Sequence, residues 1–280
     1  MVHDMKYLTL SGGEAVPALG QGTWYMGDDP AARDAEIEAL LTGIDHGLAL
    51  IDTAEMYGQG RSERLVGEAI AGRREDVFLV SKVLPSNARF EATIAACEAS
   101  LKRLGTDRLD LYLLHWQGSV PYEDTIRAFE RLKADGKIRH YGVSNLDLVE
   151  TQAFARAGGR GMQVNQLLYN LNQRGIEWDL LPWLQQAGIV TMAYSPFDGG
   201  ALTANGALRR FAEARGMTSG QVALAWLLHR SLVLPIPKAA HAARVKENAA
   251  AMDIEFGPDD LAELDALFQP PSGPEPLAIY

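Results

Sequence analysis

The sequence predicts an α/β protein built as a (β/α)8 TIM barrel, with an N-terminal β-hairpin at the bottom and extra helices near the C-terminus. Eight short apolar runs alternate with amphipathic helical patterns along the chain. The polar ends of these runs recur every 22 to 33 residues, except for a last interval of 44 residues. No linker or low-complexity segment interrupts the alternation, so we expect residues 1–280 to form a single domain.

The first predicted element is the hairpin, in KYLTLSGGEAVPALG at residues 6–20, where two apolar stretches flank a Gly-Gly turn. The eight runs that follow are almost continuously apolar, which is typical of parallel strands covered on both faces. In chain order they are ALGQGTW, LALIDTA, VFLVSKV, LDLYLLHW, IRHYGVSN, MQVNQLL, IVTMAYSP and LVLPIPK.

Amphipathic helical patterns occupy the intervals between these strands. Several of them stop at a glycine, as in RLGTD and ADGKI, which is typical of a helix C-terminus. The long interval before the eighth strand has room for an additional helix, QVALAWLLHR. Two more helical patterns, HAARVKENAAA and DDLAELDALF, follow that strand, and the proline-rich end QPPSGPEPLAIY is expected to be irregular.

Composition and charge argue against several classes of function. The net charge is −10 and the sequence pI is near 5.1, with no basic block, which argues against a nucleic-acid partner. No apolar run approaches the roughly 20 residues that span a bilayer, and the first residues lack the apolar core of a secretory signal. We therefore expect a cytoplasmic protein without a membrane partner. In such an acidic protein an anionic ligand needs a local cluster of positive groups.

The single cysteine, Cys97, excludes an internal disulfide and fits a reducing compartment. It shares a predicted helical face with Ile94, Leu101 and Leu104, so we expect it to pack in the core rather than act as a nucleophile. The sequence gives little support for a metal site, because it has no HExxH motif and one cysteine cannot build a thiolate cluster.

Polar residues end seven of the eight apolar runs. In a barrel those positions share the C-terminal rim, where barrel enzymes keep their active sites. Any one of them could simply cap a strand and touch water, but seven in step favour a functional rim. They are Asp52, Lys82, His115, Ser144-Asn145, Asn165-Gln166, Tyr194-Ser195 and Lys238.

Lys82 interrupts the otherwise apolar strand FLVSKV, and a buried ammonium requires a partner. Asp52 ends the preceding strand, so the two charges can meet at the rim. Tyr57 follows on the loop that leaves the strand of Asp52, and its phenol can turn back toward the ammonium. Because a nearby cation favours a phenolate, we expect Lys82 to lower the pKa of Tyr57 and make it a usable acid.

His115 ends the strand beside that of Lys82 and could donate a hydrogen bond to a substrate oxygen. Trp24 and Trp116 would supply apolar walls. Two plainer interpretations remain open here, namely that Tyr57 only packs its loop and that His115 is an ordinary hydrogen-bonded rim residue.

The segment IPKAAHAARVKEN, at residues 236–248, is the one local cluster of positive groups that fits a phosphorylated ligand. A strand ends at Lys238 and a helix begins soon after it, with Arg244 in its early turns. Helix N-terminal N–H groups attract anions, and a guanidinium can bind a phosphate with two hydrogen bonds. No Rossmann fingerprint competes, because G-Q-G in LGQGTW lacks the third glycine and the helix.

The order Asp52, Tyr57, Lys82 and His115 closely resembles the aldo-keto reductases, and the likeness covers nearly the whole chain. Within that family the chain is most like the short bacterial members of methylglyoxal reductase type, as in GQGTWYMG and EWDLLPW. The resemblance implies an (α/β)8 barrel that binds NADPH or NADP+ without a Rossmann domain. The motifs that carry it are IDTAEMYG, FLVSKV, DLYLLHW, GKIRHYGVSN, NQLLYN, AYSP and IPK with the trailing R-x-x-E-N.

The resemblance also implies a role for each position. Tyr57 would be the general acid, Lys82 and Asp52 would tune its pKa, and His115 would orient the carbonyl. The implied substrate pocket comprises Trp24, Tyr57, His115 and Trp116. The implied cofactor contacts are Thr23 and Trp24 near the nicotinamide, Ser144, Asn145 and Gln166 at its carboxamide, Tyr194 stacked on its ring, Ser195, Pro196 and Phe197 beside it, Lys238 and Arg244 at the 2′-phosphate, and Glu247 and Asn248 at the adenine.

The function implied is NADPH-dependent reduction of small aldehydes or ketones, either methylglyoxal-like or aromatic, by a monomer or a weak homo-oligomer. Ala239 stands where the family often has serine, which removes a hydroxyl from the phosphate site. Two alternatives are a Schiff-base aldolase with Lys82 as nucleophile and a redox-sensing regulatory subunit that binds NADP(H) and turns over slowly. The phosphate-binding cluster and the rim amides argue against the aldolase.

Overall fold

The computed structural model describes residues 6–280 and contains a short hairpin followed by eight parallel strands. Strands β1 (Tyr7–Thr9) and β2 (Ala15–Pro17) pair antiparallel and form the predicted hairpin. The parallel strands lie where the eight apolar runs predict them, each beside the next in chain order. They are β3 (Gly20–Gly22), β4 (Leu50–Asp52), β5 (Phe78–Val83), β6 (Leu109–Leu114), β7 (Ile138–Ser144), β8 (Val164–Leu168), β9 (Val190–Tyr194) and β10 (Val233–Pro235).

The barrel closes where β3 meets the chain just after β10. Gly22 forms a parallel bridge with Lys238, and its N–H donates to the carbonyl oxygen of Pro237 across 3.0 Å. A Cβ atom on Gly22 would lie 2.8 Å from the carbonyl oxygen of Ile236, so this close approach of two backbones requires glycine. The predicted barrel is thereby confirmed.

Helices fill the intervals between strands, as the amphipathic patterns predict. The last interval, between β9 and β10, differs in detail: the pattern predicts one helix in addition to the usual one, whereas the structure has three helices there. Asn205 and Thr218 start two of them by accepting hydrogen bonds from backbone N–H groups of the first turn. The helices are α1 (Arg33–Asp45), α2 (Arg61–Ala69), α3 (Phe90–Leu104), α4 (Tyr122–Ala134), α5 (Leu148–Phe154), α6 (Leu180–Gln186), α7 (Ala201–Ala204), α8 (Gly206–Glu213), α9 (Ser219–Leu228), α10 (Ala242–Ala249) and α11 (Pro258–Leu267).

Side chains alternate between the two faces of the barrel wall, and this alternation positions the site. Phe78 and Val80 of β5 belong to the apolar cluster that fills the barrel interior. Lys82, two residues further on, shares their face, so its side chain enters the interior near the C-terminal end of the strand. Leu10 and Val16 of the hairpin belong to the same cluster and plug the barrel. Cys97 is buried in the outer layer between strands and helices, as expected.

The tail after α11 has neither helix nor strand, which agrees with its proline content. It nevertheless follows a defined path, since Leu277 packs against the outer core and Tyr280 reaches the C-terminal rim of the barrel. Within residues 6–280, no helix is long and apolar enough to cross a membrane.

Candidate active site

A cleft of about 430 Å³ opens at the C-terminal ends of the barrel strands. Most of the predicted rim residues converge there from β3 through β10, although their positions in the sequence are far apart. Asn165 is an exception, because its amide donates to the carbonyl oxygen of Leu146 at 2.9 Å and does not line the cleft. The predicted site residues that line the cleft are Thr23, Trp24, Asp52, Tyr57, His115, Trp116, Ser144, Asn145, Gln166, Tyr194, Ser195, Pro196, Phe197 and Lys238.

Lys82 lies beneath the cleft floor and is completely buried. Its ammonium donates to Asp52 Oδ2 at 2.8 Å, to the carbonyl oxygen of Thr53 at 2.9 Å and to the hydroxyl oxygen of Tyr57 at 3.1 Å. A lysine ammonium has three protons, so all of them are engaged. Burial lowers the pKa of Lys82, but Asp52 and Tyr57 together outweigh burial and raise it, so the group is a cation.

Asp52 is also buried, and both of its oxygens accept hydrogen bonds. Oδ2 meets Lys82, while Oδ1 accepts from Nε2 of Gln166 at 2.8 Å. The ion pair between adjacent strands that the sequence predicts is therefore present, and its second carboxylate oxygen is satisfied as well. A buried pair is stable only with such additional bonds.

Tyr57 lies in a single turn between β4 and α2, and it is half-buried at the cleft wall. Its oxygen accepts a hydrogen bond from Lys82, which leaves its own O–H free to donate into the cleft. The net pKa shift differs from the expected one. Burial raises the pKa of Tyr57 and outweighs the opposing effect of Lys82. The phenol is consequently protonated at neutral pH, as a general acid must be, and the cation only moderates the cost of losing that proton.

His115 follows β6, and its backbone N–H donates to Val83 of β5 at 3.0 Å. Its ring lies 5.9 Å from that of Tyr57, centre to centre. Burial, with a smaller contribution from Lys82, lowers the pKa of His115 to about 2. The imidazole is therefore neutral and carries one N–H. Its Nδ1 atom is buried without a hydrogen-bond partner among the described residues.

Hydroxyl and amide groups on the other strands form a continuous polar network around this centre. Thr23 donates to the carbonyl oxygen of Asp52 at 2.9 Å, which fixes the end of β3 against that of β4. Ser144 donates to the carbonyl oxygen of Gln166 at 3.0 Å, and the Tyr194 hydroxyl donates to Asn145 Oδ1 at 2.9 Å. Asn145 has a positive φ of 57°, a conformation that asparagine tolerates better than most residues.

The predicted phosphate and adenine contacts are only partly brought together. Lys238 lines the cleft and is exposed. Arg244, Glu247 and Asn248 lie on α10 and do not line it. In the described structure Arg244 Nη1 donates to Glu247 Oε2 at 2.6 Å, and Asn248 is buried. These three residues belong to the helix that follows Lys238 in the chain.

Several cleft residues escaped the sequence prediction. The Gly199-Gly200 pair was visible as a loop signal just after AYSP, but Met56 and Thr203 carried no local signal. Tyr280 carried no signal either, yet it lines the cleft and its hydroxyl donates to Asp198 at 2.8 Å. No group of three or more potential metal-binding side chains occurs among residues 6–280. The additional lining residues are Gly22, Met56, Gly199, Gly200, Thr203, Ile236 and Tyr280.

Several known proteins are similar to this chain over nearly its whole length. A model of the aldo/keto reductase family matches residues 18–269. Methylglyoxal reductase YeaE of Escherichia coli (strain K12) is 50% identical over 276 residues, which cover 96% of this chain and 97% of that protein. Two crystal structures of an aldo/keto reductase from Klebsiella pneumoniae, one with NADP and acetate and one with NADPH, are each 48% identical with a TM-score of 0.96. They cover 99% of this chain and 100% and 99% of theirs, respectively.

Proposed function

The chain belongs to the aldo/keto reductase family, and from that premise we propose that it reduces small aldehydes and ketones to alcohols with NADPH. One observation carries the proposal. All three ammonium protons of Lys82 are donated within the protein, so the proton available to a substrate in the cleft is that of the Tyr57 hydroxyl. A buried cation that supports a protonated phenol is the arrangement that carbonyl protonation requires.

A nicotinamide cofactor, when bound, would supply the hydride that the carbonyl carbon accepts, and the residues of this chain would act on the carbonyl oxygen. Tyr57 gives its proton to the carbonyl oxygen, and Lys82 stabilises the phenolate that remains. The neutral imidazole of His115 offers its N–H to the same oxygen and orients the carbonyl. Asp52 keeps Lys82 charged and in place. The barrel rim holds all four in position before the substrate arrives.

The residues present fit a nicotinamide cofactor. Nε2 of Gln166 is engaged by Asp52, so Oε1 remains free, among the described residues, to accept from a carboxamide. Ser144 and Asn145 lie beside it, and Tyr194 offers an aromatic face, with Thr23, Ser195, Pro196 and Phe197 completing this side. Lys238 and Arg244 would hold the 2′-phosphate, with Glu247 and Asn248 toward the adenine.

We propose 2-oxoaldehydes such as methylglyoxal and small aromatic aldehydes as the substrate class. Trp24 and Trp116 are 39% and 37% exposed at the cleft, so apolar surface remains for an alkyl or aryl group. The similar Escherichia coli protein is named a methylglyoxal reductase. We propose that the protein acts as a cytoplasmic monomer; the free Cys97 fits the reducing conditions of the cytoplasm.

Separate observations argue against the aldolase and against the regulatory subunit. A Schiff-base nucleophile must be an unprotonated amine, whereas Lys82 is held as an ammonium by three hydrogen bonds, which argues against the aldolase. A slow regulatory subunit would not need an aligned proton donor, and the similar proteins above are named as reductases. The turnover number measured with excess aldehyde distinguishes the two, because a regulatory subunit would turn over slowly.

Tyr57→Phe tests the proposal. We expect NADPH oxidation with methylglyoxal to fall at least about 100-fold, while the Kd for NADPH, read from fluorescence, changes little. Tyr112→Phe is the matched control, because it removes a buried hydroxyl in the outer core that has no hydrogen-bond partner among residues 6–280. Near-normal turnover in Tyr57→Phe would contradict the assignment.

A further inference from the structure

Gln166 joins two strands that lie on opposite sides of the barrel. It belongs to β8, whereas Asp52 ends β4, four strands away in the sheet order. The 2.8 Å hydrogen bond from Gln166 Nε2 to Asp52 Oδ1 therefore crosses the barrel interior, and both side chains are 2% exposed. Hydrogen bonds between charged and neutral groups are strong in such surroundings because little water competes.

The chemistry of the two groups fixes which end of the amide faces which partner. An ionised carboxylate only accepts hydrogen bonds, so the nitrogen of Gln166 must face Asp52. The amide oxygen then remains without a partner among the described residues, on a side chain that lines the cleft. One glutamine thus contacts the buried ion pair at one end and offers an acceptor at the other.

We propose that Gln166 is a positioning residue for proton donation, acting on Tyr57 through Asp52. The inference rests on the proposed function in that Tyr57 is taken as the acid. By donating to Oδ1, Gln166 holds the carboxylate so that Oδ2 faces Lys82. It also draws negative charge away from the side of Asp52 that faces the phenol.

The electrostatic surroundings of Tyr57 give the expected direction. The charged or titratable groups around it are Lys82, Asp52, His115 and Tyr194, and of these Asp52 is the carboxylate that raises its pKa. Without the Gln166 donor, the carboxylate presents more of its charge to the phenol. The phenol should then hold its proton more tightly.

Two substitutions separate this role from simple cofactor binding. Gln166→Leu removes the donor to Asp52 and the free acceptor together. Gln166→Glu keeps an acceptor, and when protonated it can still donate to Asp52, because two carboxyl groups at this distance share a proton. Gln163→Leu is the matched control. It removes a glutamine three residues earlier, whose oxygen bonds the hairpin at Ser11 and Gly12 rather than the ion pair.

The first readout needs no cofactor. Tyrosinate absorbance is followed after a rapid pH jump, before unfolding, and each protein is compared with its own Tyr57→Phe counterpart so that the difference belongs to Tyr57. We expect Gln166→Leu to raise the pKa of Tyr57 by roughly 1 unit, and Gln163→Leu to leave it unchanged. The second readout is the pH profile of kcat. We expect a loss at every pH for Gln166→Leu, and a loss for Gln166→Glu that grows as pH rises and the shared proton leaves.

An unchanged Tyr57 titration in Gln166→Leu, with only a weaker Kd for NADPH, would overturn the proposal and leave Gln166 as a cofactor contact. Failure of the proposed function looks different. In that case the wild-type protein does not reduce aldehydes, while the cofactor-free titration still reports whether Gln166 acts on Tyr57.

Discussion

The Nζ atom of Lys82 lies 3.1 Å from the hydroxyl oxygen of Tyr57 and 4.7 Å from the centre of its ring. The cation is therefore close enough to stabilise a phenolate at the moment the proton leaves. It is also the only positive charge that balances the buried Asp52 carboxylate among the described contacts of that group. The stability of the buried Asp52 carboxylate and the proposed proton donation by Tyr57 thus depend on the same ammonium.

Lys82→Met should lower the free energy of unfolding by about 3–5 kcal/mol, because it leaves the Asp52 carboxylate buried without its counter-ion. Urea unfolding measures this. Adding Asp52→Asn to Lys82→Met removes the stranded charge, so the double variant should recover part of the loss. Both proteins should remain at least about 100-fold slower than wild type in aldehyde reduction. Recovery of turnover together with stability would show that Lys82 has no catalytic part.

His115 should make the protein less stable as pH falls. Its native pKa is about 2 and its ordinary value is 6.5. Between these values the unfolded chain binds a proton that the native state refuses, so the unfolding free energy declines as pH decreases below about 6.5. In His115→Gln this contribution disappears, and the decline should be shallower by roughly 1.4 kcal/mol per pH unit. Urea unfolding at several pH values compares the slopes; parallel slopes would mean that native His115 titrates normally.

Arg244→Ala should raise the Kd for NADPH by about tenfold, equivalent to about 1.4 kcal/mol, and change the Kd for NADH little. The reason is that only NADPH carries the 2′-phosphate. Fluorescence titration with both cofactors gives the ratio. Lys246→Ala, an exposed residue on the same helix α10, is the control for general loss of positive charge. An equal increase in the Kd values for NADPH and NADH in Arg244→Ala would contradict a contact between Arg244 and the 2′-phosphate.

Ala239→Ser should tighten NADPH binding in the same assay, since it adds a hydroxyl donor between Lys238 and α10. NADH binding should stay unchanged. If Ala239→Ser leaves the Kd for NADPH unchanged, the positive charges of Lys238 and Arg244 alone would account for the preference for NADPH.

Cys97 should be unreactive in the native protein. It is fully buried, and burial raises the pKa of its thiol to about 12. Because the thiolate is the nucleophile, a thiol reagent should leave reductase activity intact and label Cys97 only after denaturation. Titration of thiols with and without denaturant counts the reactive groups. Rapid native labelling would point to an opening of the outer layer around α3.

The barrel and its polar rim could be predicted because two simple patterns encode them. Buried parallel strands are nearly continuous apolar runs, and the residue at which each run turns polar marks the rim. Lys82 was the most informative position, since an ammonium within FLVSKV has no explanation without a partner. Asp52 follows from strand adjacency, and Tyr57 from its place on the loop that leaves the same strand.

The remaining features depend on contacts between distant parts of the chain. No local pattern indicates that Gln166 reaches across the barrel to Asp52, or that Tyr280 meets Asp198. The direction of the Tyr57 pKa shift also required the structure, because it is a balance between burial and a cation. Sequence identifies the cation but not the depth of burial.

The bridge between Gly22 and Lys238 has a consequence for how the protein is made. On a ribosome, Gly22 emerges long before Lys238, so a nascent chain carries β3 with an unpaired edge until β10 has been synthesised. Neither the seam nor the lysine at the proposed phosphate site exists in a chain that ends before Lys238. A chain interrupted before Lys238 therefore lacks both the closed barrel and the proposed phosphate contact through which cofactor binding would stabilise it.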